Sequence, residues 1–144
     1  METRTQQPLS QTYMTVDVPQ VTDERGSLCI AESRNLPFTP RRVFWIHGVG
    51  QGMTRGGHAH SRCAEVIFPV SGSFDIFVDD GSRQQEIHMD TANRGIYIGP
   101  NVWCLLHDFA PGTVCVVLAS EDYAHDGYIH RYDEFRRMHG QQTA

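Results

Sequence analysis

His58 and His60 flank a single alanine in the stretch TRGGHAHSRCAEVIFPVSG, residues 54–72, and Glu65 follows five residues later. Two imidazoles and a carboxylate at this spacing can do two kinds of chemistry. They can hold a divalent metal such as Fe(II) or Mn(II) as a facial triad. They can also move protons without a metal, because an unperturbed histidine titrates near about 6.5 and suits general acid/base work at neutral pH. In an extended strand, residues two apart face the same side, so the pair points into one cavity. The glycine-rich lead-in Gly52, Gly56 and Gly57 marks a turn into that strand.

Composition removes other chemistries. All twelve basic residues are arginine. The absence of lysine excludes Schiff-base catalysis and a P-loop lysine. A formal net charge of −5 argues against general nucleic-acid binding, which needs a basic face. No apolar run approaches the roughly 20 residues of a bilayer span, and the polar N-terminus METRTQQPLSQTYM lacks a signal-type apolar segment, so a cytoplasmic protein is expected. Cys29, Cys63, Cys104 and Cys115 lie far apart with no C-x-x-C pair and are expected to serve mostly as small buried apolar residues.

The elements that must position the histidines read as short strands. Turn signals recur every 8–12 residues, at Gly48–Gly52, Ser71-Gly72-Ser73, Asp80-Gly81, Asn93-Arg94-Gly95 and Pro111-Gly112. Between them lie RVFWI (42–46), EVIFPV (65–70), FDIFV (74–78), QEIHM (85–89), GIYI (95–98), VWCLLH (102–107) and TVCVVLA (113–119). β-branched and aromatic residues dominate these runs, as strands require, and the regular spacing predicts an all-β sandwich or small barrel. Asp80-Gly81 is a strong hairpin signal, because a tight primed turn needs positive φ. RYDEFRRM (131–138) spaces Tyr132, Phe135 and Met138 three apart before Gly140, predicting one short C-terminal helix. Residues 1–15 and 141–144 read as loose, and a chain of 144 residues makes one domain with its core over about 16–138.

The full pattern is Gly52, five residues, His58-Ala59-His60, four residues, Glu65, six residues, Gly72. It resembles the first motif of the cupin superfamily, which implies a jelly-roll β-barrel. Metal-binding cupins add a histidine from a second motif. The matching region here, Gly95–Leu105, has Val102 in place of a glycine and Leu105 where that histidine belongs; His107 could substitute only after a bulge. A narrower resemblance covers residues 22–137. Arg25-Gly26-Ser27-Leu28, Arg42-Val43-Phe44-Trp45-Ile46, Arg55-Gly56-Gly57-His58-Ala59-His60, the segment Leu118-Ala119-Ser120-Glu121-Asp122-Tyr123 and Tyr132-Asp133-Glu134-Phe135 are similar to the sugar-nucleotide 3,4-ketoisomerases.

That resemblance implies a cofactor-free, metal-independent homodimer with exchanged N-terminal strands. It would act on a dTDP-linked 4-keto-6-deoxyhexose, moving the keto group from C4 to C3 through an enediol. His58 and His60 would be the catalytic acid/base pair. Arg55 and Arg42, and more weakly Arg25, would hold phosphate or sugar oxygens. Tyr97 and Trp103 would supply aromatic surface for the nucleotide. His47, His88, His125, His130 and His139 carry no motif and read as surface or structural. Two departures stand out: Glu65 where family members often carry glutamine, and Cys104 where several carry histidine or arginine. Two other readings compete, a metal-dependent cupin dioxygenase or isomerase and a non-catalytic sugar-nucleotide-binding module.

Overall fold

A computed structural model describes residues 12–124 and 127–140. The strands are β1 (Tyr13–Asp17), β2 (Gln20–Asp23), β3 (Gly26–Cys29), β4 (Arg42–His47), β5 (Arg55–His60) and β6 (Glu65–Ser71). They continue with β7 (Phe74–Asp79), β8 (Gln84–Met89), β9 (Arg94–Ile98), β10 (Trp103–His107), β11 (Val114–Ala119) and β12 (Tyr128–Ile129), before helix α1 (Tyr132–Met138). Every apolar run read from the sequence is a strand, and the C-terminal helix lies where its spacing places it. The fold is an all-β jelly roll.

Two antiparallel five-stranded sheets face each other, in the orders β1-β9-β6-β11-β4 and β12-β5-β10-β7-β8. Strand alternation divides the side chains between an inner and an outer face. β4 shows it plainly: Arg42, Phe44 and Ile46 turn inward while Val43, Trp45 and His47 stay exposed. Between the sheets pack Ile67, Ile96, Ile98, Cys115 and Val117 from the first and Ile76, Val78, Cys104 and Leu106 from the second. Smaller clusters cover the outer faces: Val18, Leu36 and Phe38 over Val66, Phe68, Tyr97 and Leu118, and Phe135 over Ala59 and Trp103.

The N-terminal boundary is corrected. Tyr13 to Thr15 are not loose, because β1 pairs along its whole length with β9 and Tyr13 is fully buried. By contrast, among the described residues β2 and β3 pair only with each other and form an exposed two-stranded arm. Three cysteines are buried as expected, and Cys29 on that arm is exposed.

Helix α1 is tied to the barrel through one buried carboxylate. Asp79 is fully buried and accepts hydrogen bonds from the Tyr132 hydroxyl at 2.6 Å and from Arg136 at 3.2 Å. Such a charge is tolerable only because those donors and the Gly81 amide surround it. Among the described residues, no helix is long and apolar enough to cross a membrane.

Candidate active site

A cavity of about 370 Å³ opens between the two sheets. Its wall follows strand alternation: Arg42, Phe44 and Ile46 from β4, Gly56, His58 and His60 from β5, Glu65 and Ile67 from β6, and Cys104 and Leu106 from β10. The histidines sit side by side because they are two apart in β5, with ring centroids 4.6 Å apart and planes at 86°. Gly56 is required just before them. Its φ is +82°, and an added Cβ would lie 3.1 Å from the Cys104 carbonyl oxygen, where β5 and β10 approach across a bulge.

The floor of the site is a polar contact across the sheets. His60 Nε2 lies 2.9 Å from Glu65 Oε1, with both side chains deeply buried. The contact is out of line for a hydrogen bond, so His60 Nε2 is a buried polar atom lacking an aligned partner; Arg42 Nε is another. Both belong to residues that line the cavity. Arg42 is gripped from two sides, 5.1 Å from the Phe44 ring centre and 5.5 Å from that of Tyr123. Burial, then the neighbouring His60, push His58 down from the usual histidine value to about 4. His58 is therefore neutral at physiological pH and presents a free lone pair. In contrast, burial drives the Cys104 thiol up, so it is a neutral wall residue and not a thiolate.

Four of the seven sequence-predicted site residues meet here: His58, His60, Arg42 and Arg55. The other three do not, and each for a local reason. Trp103 precedes inward-facing Cys104 in β10, so alternation turns it outward against Tyr132 and Phe135 of α1. Tyr97 lies between the inward residues Ile96 and Ile98 and packs outside the first sheet near Phe38. Arg25 caps the exposed β2–β3 turn and pairs with Asp23 at 2.7 Å. His107 is also corrected: a bulge does occur at Cys104/Leu105, but His107 faces outward onto Glu86 and Asp108.

Tyr128, Tyr123 and His130 were not read as site residues. Tyr128 is registered opposite His60, its ring 4.4 Å from that of His60 and 5.3 Å from that of His58. His130 stacks on Tyr128 at 5.4 Å and comes within 6.4 Å of His58, ring centre to ring centre. A strand of two residues leaves no periodic signal, so neither was legible. Tyr123 ends the segment Leu118–Tyr123 and lines the cavity wall. Of the remaining histidines, His47 and His88 are exposed, His139 packs on Phe135, and His125 lies outside the described residues.

The donors His58, His60 and Glu65 lie within 4.8 Å of one another, close enough to hold a metal as three ligands. β10 contributes only Cys104 and Leu106 to the cavity wall. It therefore supplies neither the oxygen nor the imidazole nitrogen that a fourth ligand would need, and burial disfavours the thiolate.

The fold is that of a cupin-type jelly roll, with a histidine-lined cavity between its two sheets. Residues 11–140 match the family described as FdtA: WxcM-like, C-terminal, and the chain belongs to that family. It is 39% identical over 123 residues, 85% of its length and 88% of the relative, to a TDP-4-oxo-6-deoxy-alpha-D-glucose-3,4-oxoisomerase of Aneurinibacillus thermoaerophilus. Its fold is similar to a 3,4-ketoisomerase from Helicobacter canadensis, with a TM-score of 0.84 and 34% identity, covering 90% of this chain and 98% of that one. It is also similar to a sugar 3,4-ketoisomerase from Thermoanaerobacterium thermosaccharolyticum solved with TDP, with a TM-score of 0.85 and 31% identity, covering 92% and 97%.

Proposed function

We propose that this chain is a TDP-4-keto-6-deoxyglucose 3,4-ketoisomerase that works by histidine acid/base chemistry without a metal. The observation that carries the mechanism is the asymmetric histidine pair: His58 held neutral by burial, His60 backed by Glu65 at 2.9 Å.

The reaction needs a proton removed from C3 and one delivered to C4. The C4 carbonyl acidifies the C3 hydrogen, so the protein must supply a positioned base and an acid. His58 has its lone pair available at neutral pH and takes the base role. His60 moves a proton at the C4 side, with Glu65 compensating the charge it carries while protonated. A low proton affinity makes His58 a modest base.

Arg42 and Arg55 line the same cavity and meet the anionic and oxygen-rich parts of the ligand. The orphaned Arg42 Nε is the donor best placed for this. A neighbouring cavity of about 290 Å³ shares Arg42, His60, Tyr123 and Tyr128 and adds Arg62, giving room for a ligand larger than a hexose.

The chain acts as a single-domain homodimer in the cytoplasm. The β2–β3 arm exposes Val21 and Leu28, and the open edge strand β4 exposes Val43 and Trp45. An exchanged arm that covers a partner's sheet would remove that apolar surface from water and close an unprotected edge.

The test is NMR of the product formed from dTDP-4-keto-6-deoxyglucose. A C3 ketone with a C4 hydroxyl supports the reading. Nucleotide binding with no turnover would leave a binding module instead.

A further inference from the structure

The outer face of the second sheet carries a separate set of metal-ligating side chains. Strands β10, β7 and β8 lie side by side, with His107 registered opposite Asp75 and Asp75 opposite His88. Neighbouring strands are about 4.8 Å apart, so the three side chains stand in a row on one face. Alternation turns them away from the cavity, because the adjacent Ile76 and Leu106 are the residues buried between the sheets.

The row is closely knit. His88 Nδ1 lies 2.6 Å from Asp75 Oδ1, and His107 lies 2.8 Å from Glu86 through Nε2 and 2.9 Å from Asp108 through Nδ1. Asp90 approaches His88 at 3.7 Å. One donor atom each from Asp75, His107 and Asp108 fall within 4.8 Å of one another. Exposed ion pairs of this kind contribute only about 0–1 kcal/mol each, so folding stability gives little reason to gather two imidazoles and four carboxylates here.

We propose that His107, Asp75 and Asp108, with His88 as a further donor, form a divalent transition-metal site on the outer wall of the barrel. Imidazole and carboxylate together suit Zn(II), Co(II), Ni(II) or Cu(II) better than Mg(II) or Ca(II), which prefer oxygen alone. Ligand bonds near 2.0–2.1 Å in a tetrahedron separate donor atoms by roughly 3.4 Å. Closure from 4.8 Å therefore asks the side chains to move by about 1 Å, with the backbones of Asp75, His107 and His88 held by the sheet and the exposed Asp108 one residue beyond the end of β10. A bound ion would tie β7, β8 and β10 together without touching the cavity on the other side.

Zinc titration by calorimetry tests this on three proteins, each checked for native circular dichroism: wild type, His107→Ala and His58→Asn. The expected result is one saturable outer-face site that His58→Asn keeps and His107→Ala weakens at least tenfold. Zinc should raise the Tm of wild type and of His58→Asn but not of His107→Ala, while ketoisomerase turnover of His107→Ala stays at the wild-type level. If His107→Ala misfolds, Asp75→Asn serves in its place. Zinc binding unchanged in the outer-face variant, or lost only in His58→Asn, would overturn the site. Heat seen only at millimolar zinc without saturation would mean an adventitious ion only, and would overturn it equally.

Discussion

His60 Nε2 on β5 and Glu65 Oε1 on β6 meet at 2.9 Å, joining the two sheets across the cavity floor with both side chains more than nine-tenths buried. A carboxylate so placed orients the ring and offsets any charge on it, two effects that substitutions can separate. Glu65→Gln keeps the size and a polar contact but removes the charge. Glu65→Leu leaves His60 buried with no partner on that side, at a cost of about 1–3 kcal/mol. The expected order of turnover is wild type, then Glu65→Gln, then Glu65→Leu, with chemical denaturation showing the stability loss mainly in the last. Equal loss of turnover in both variants would show that the charge, not the positioning, is what matters.

His58 predicts a pH dependence of stability. Its folded value lies near 4 while the unfolded chain titrates near 6.5, so below 6.5 the unfolded state binds the extra proton. The contribution is fully present above about 6.5 and is lost as pH falls towards 4, amounting to about 3 kcal/mol at most. His58→Asn should flatten that part of the curve. Urea midpoints measured between pH 4 and 7 decide it: parallel slopes in wild type and variant would mean that His58 is not held neutral.

Strands β4 and β6 to β11 and the helix were legible because each carries a local signal: Asp80-Gly81 turns β7 into β8, and Tyr132 and Phe135 share one face of α1. The histidine pair was legible because two-residue spacing fixes a common face. What failed was facing on fully buried strands. β9 and β10 are apolar on both sides, so nothing in GIYI or VWCLLH says whether Tyr97 or Trp103 looks inward. Packing of Leu36, Phe38 and α1 against the outer faces decides it, and those are long-range contacts. For the same reason Cys104, rather than Leu105, stands across from His58.

Arg42 and Arg55 differ in setting, which predicts different responses to lysine. Arg42 is wedged between Phe44 and Tyr123 with a buried unpaired Nε, whereas Arg55 sits exposed at the rim. Lysine keeps the charge but loses the planar fork and its stacking. Arg42→Lys should raise KM at least tenfold, and Arg55→Lys by a smaller factor. Steady-state kinetics at fixed salt reads both. An Arg42→Lys enzyme with wild-type KM would remove Arg42 from the ligand's contacts.

Exposed Val21, Leu28, Val43 and Trp45 predict a dimer in solution. Light scattering at micromolar concentration should give twice the 16.3 kDa chain mass. Leu28→Glu on the arm should shift the protein towards monomer, because a charge buried in an apolar interface has no partner. A stable wild-type monomer would remove the exchanged arm from the account.

The remaining question is whether His58, His60 and Glu65 move protons or hold an ion, since their geometry permits both. The reaction favours protons, because the substrate's own carbonyl already acidifies the C3 hydrogen, and β10 adds only a neutral thiol and a leucine to the three donors. His58→Asn and His60→Asn retain bulk and hydrogen bonding but cannot titrate. Each should fold and bind nucleotide normally while losing about 10²-fold or more in turnover, the usual contribution of one general base. Turnover of the wild type should survive exhaustive EDTA treatment. If EDTA abolishes it and Fe(II), Mn(II) or Zn(II) restores it, and the restoration is lost in His58→Asn but kept in His107→Ala, the three cavity residues are ligands and the proton-transfer assignment falls.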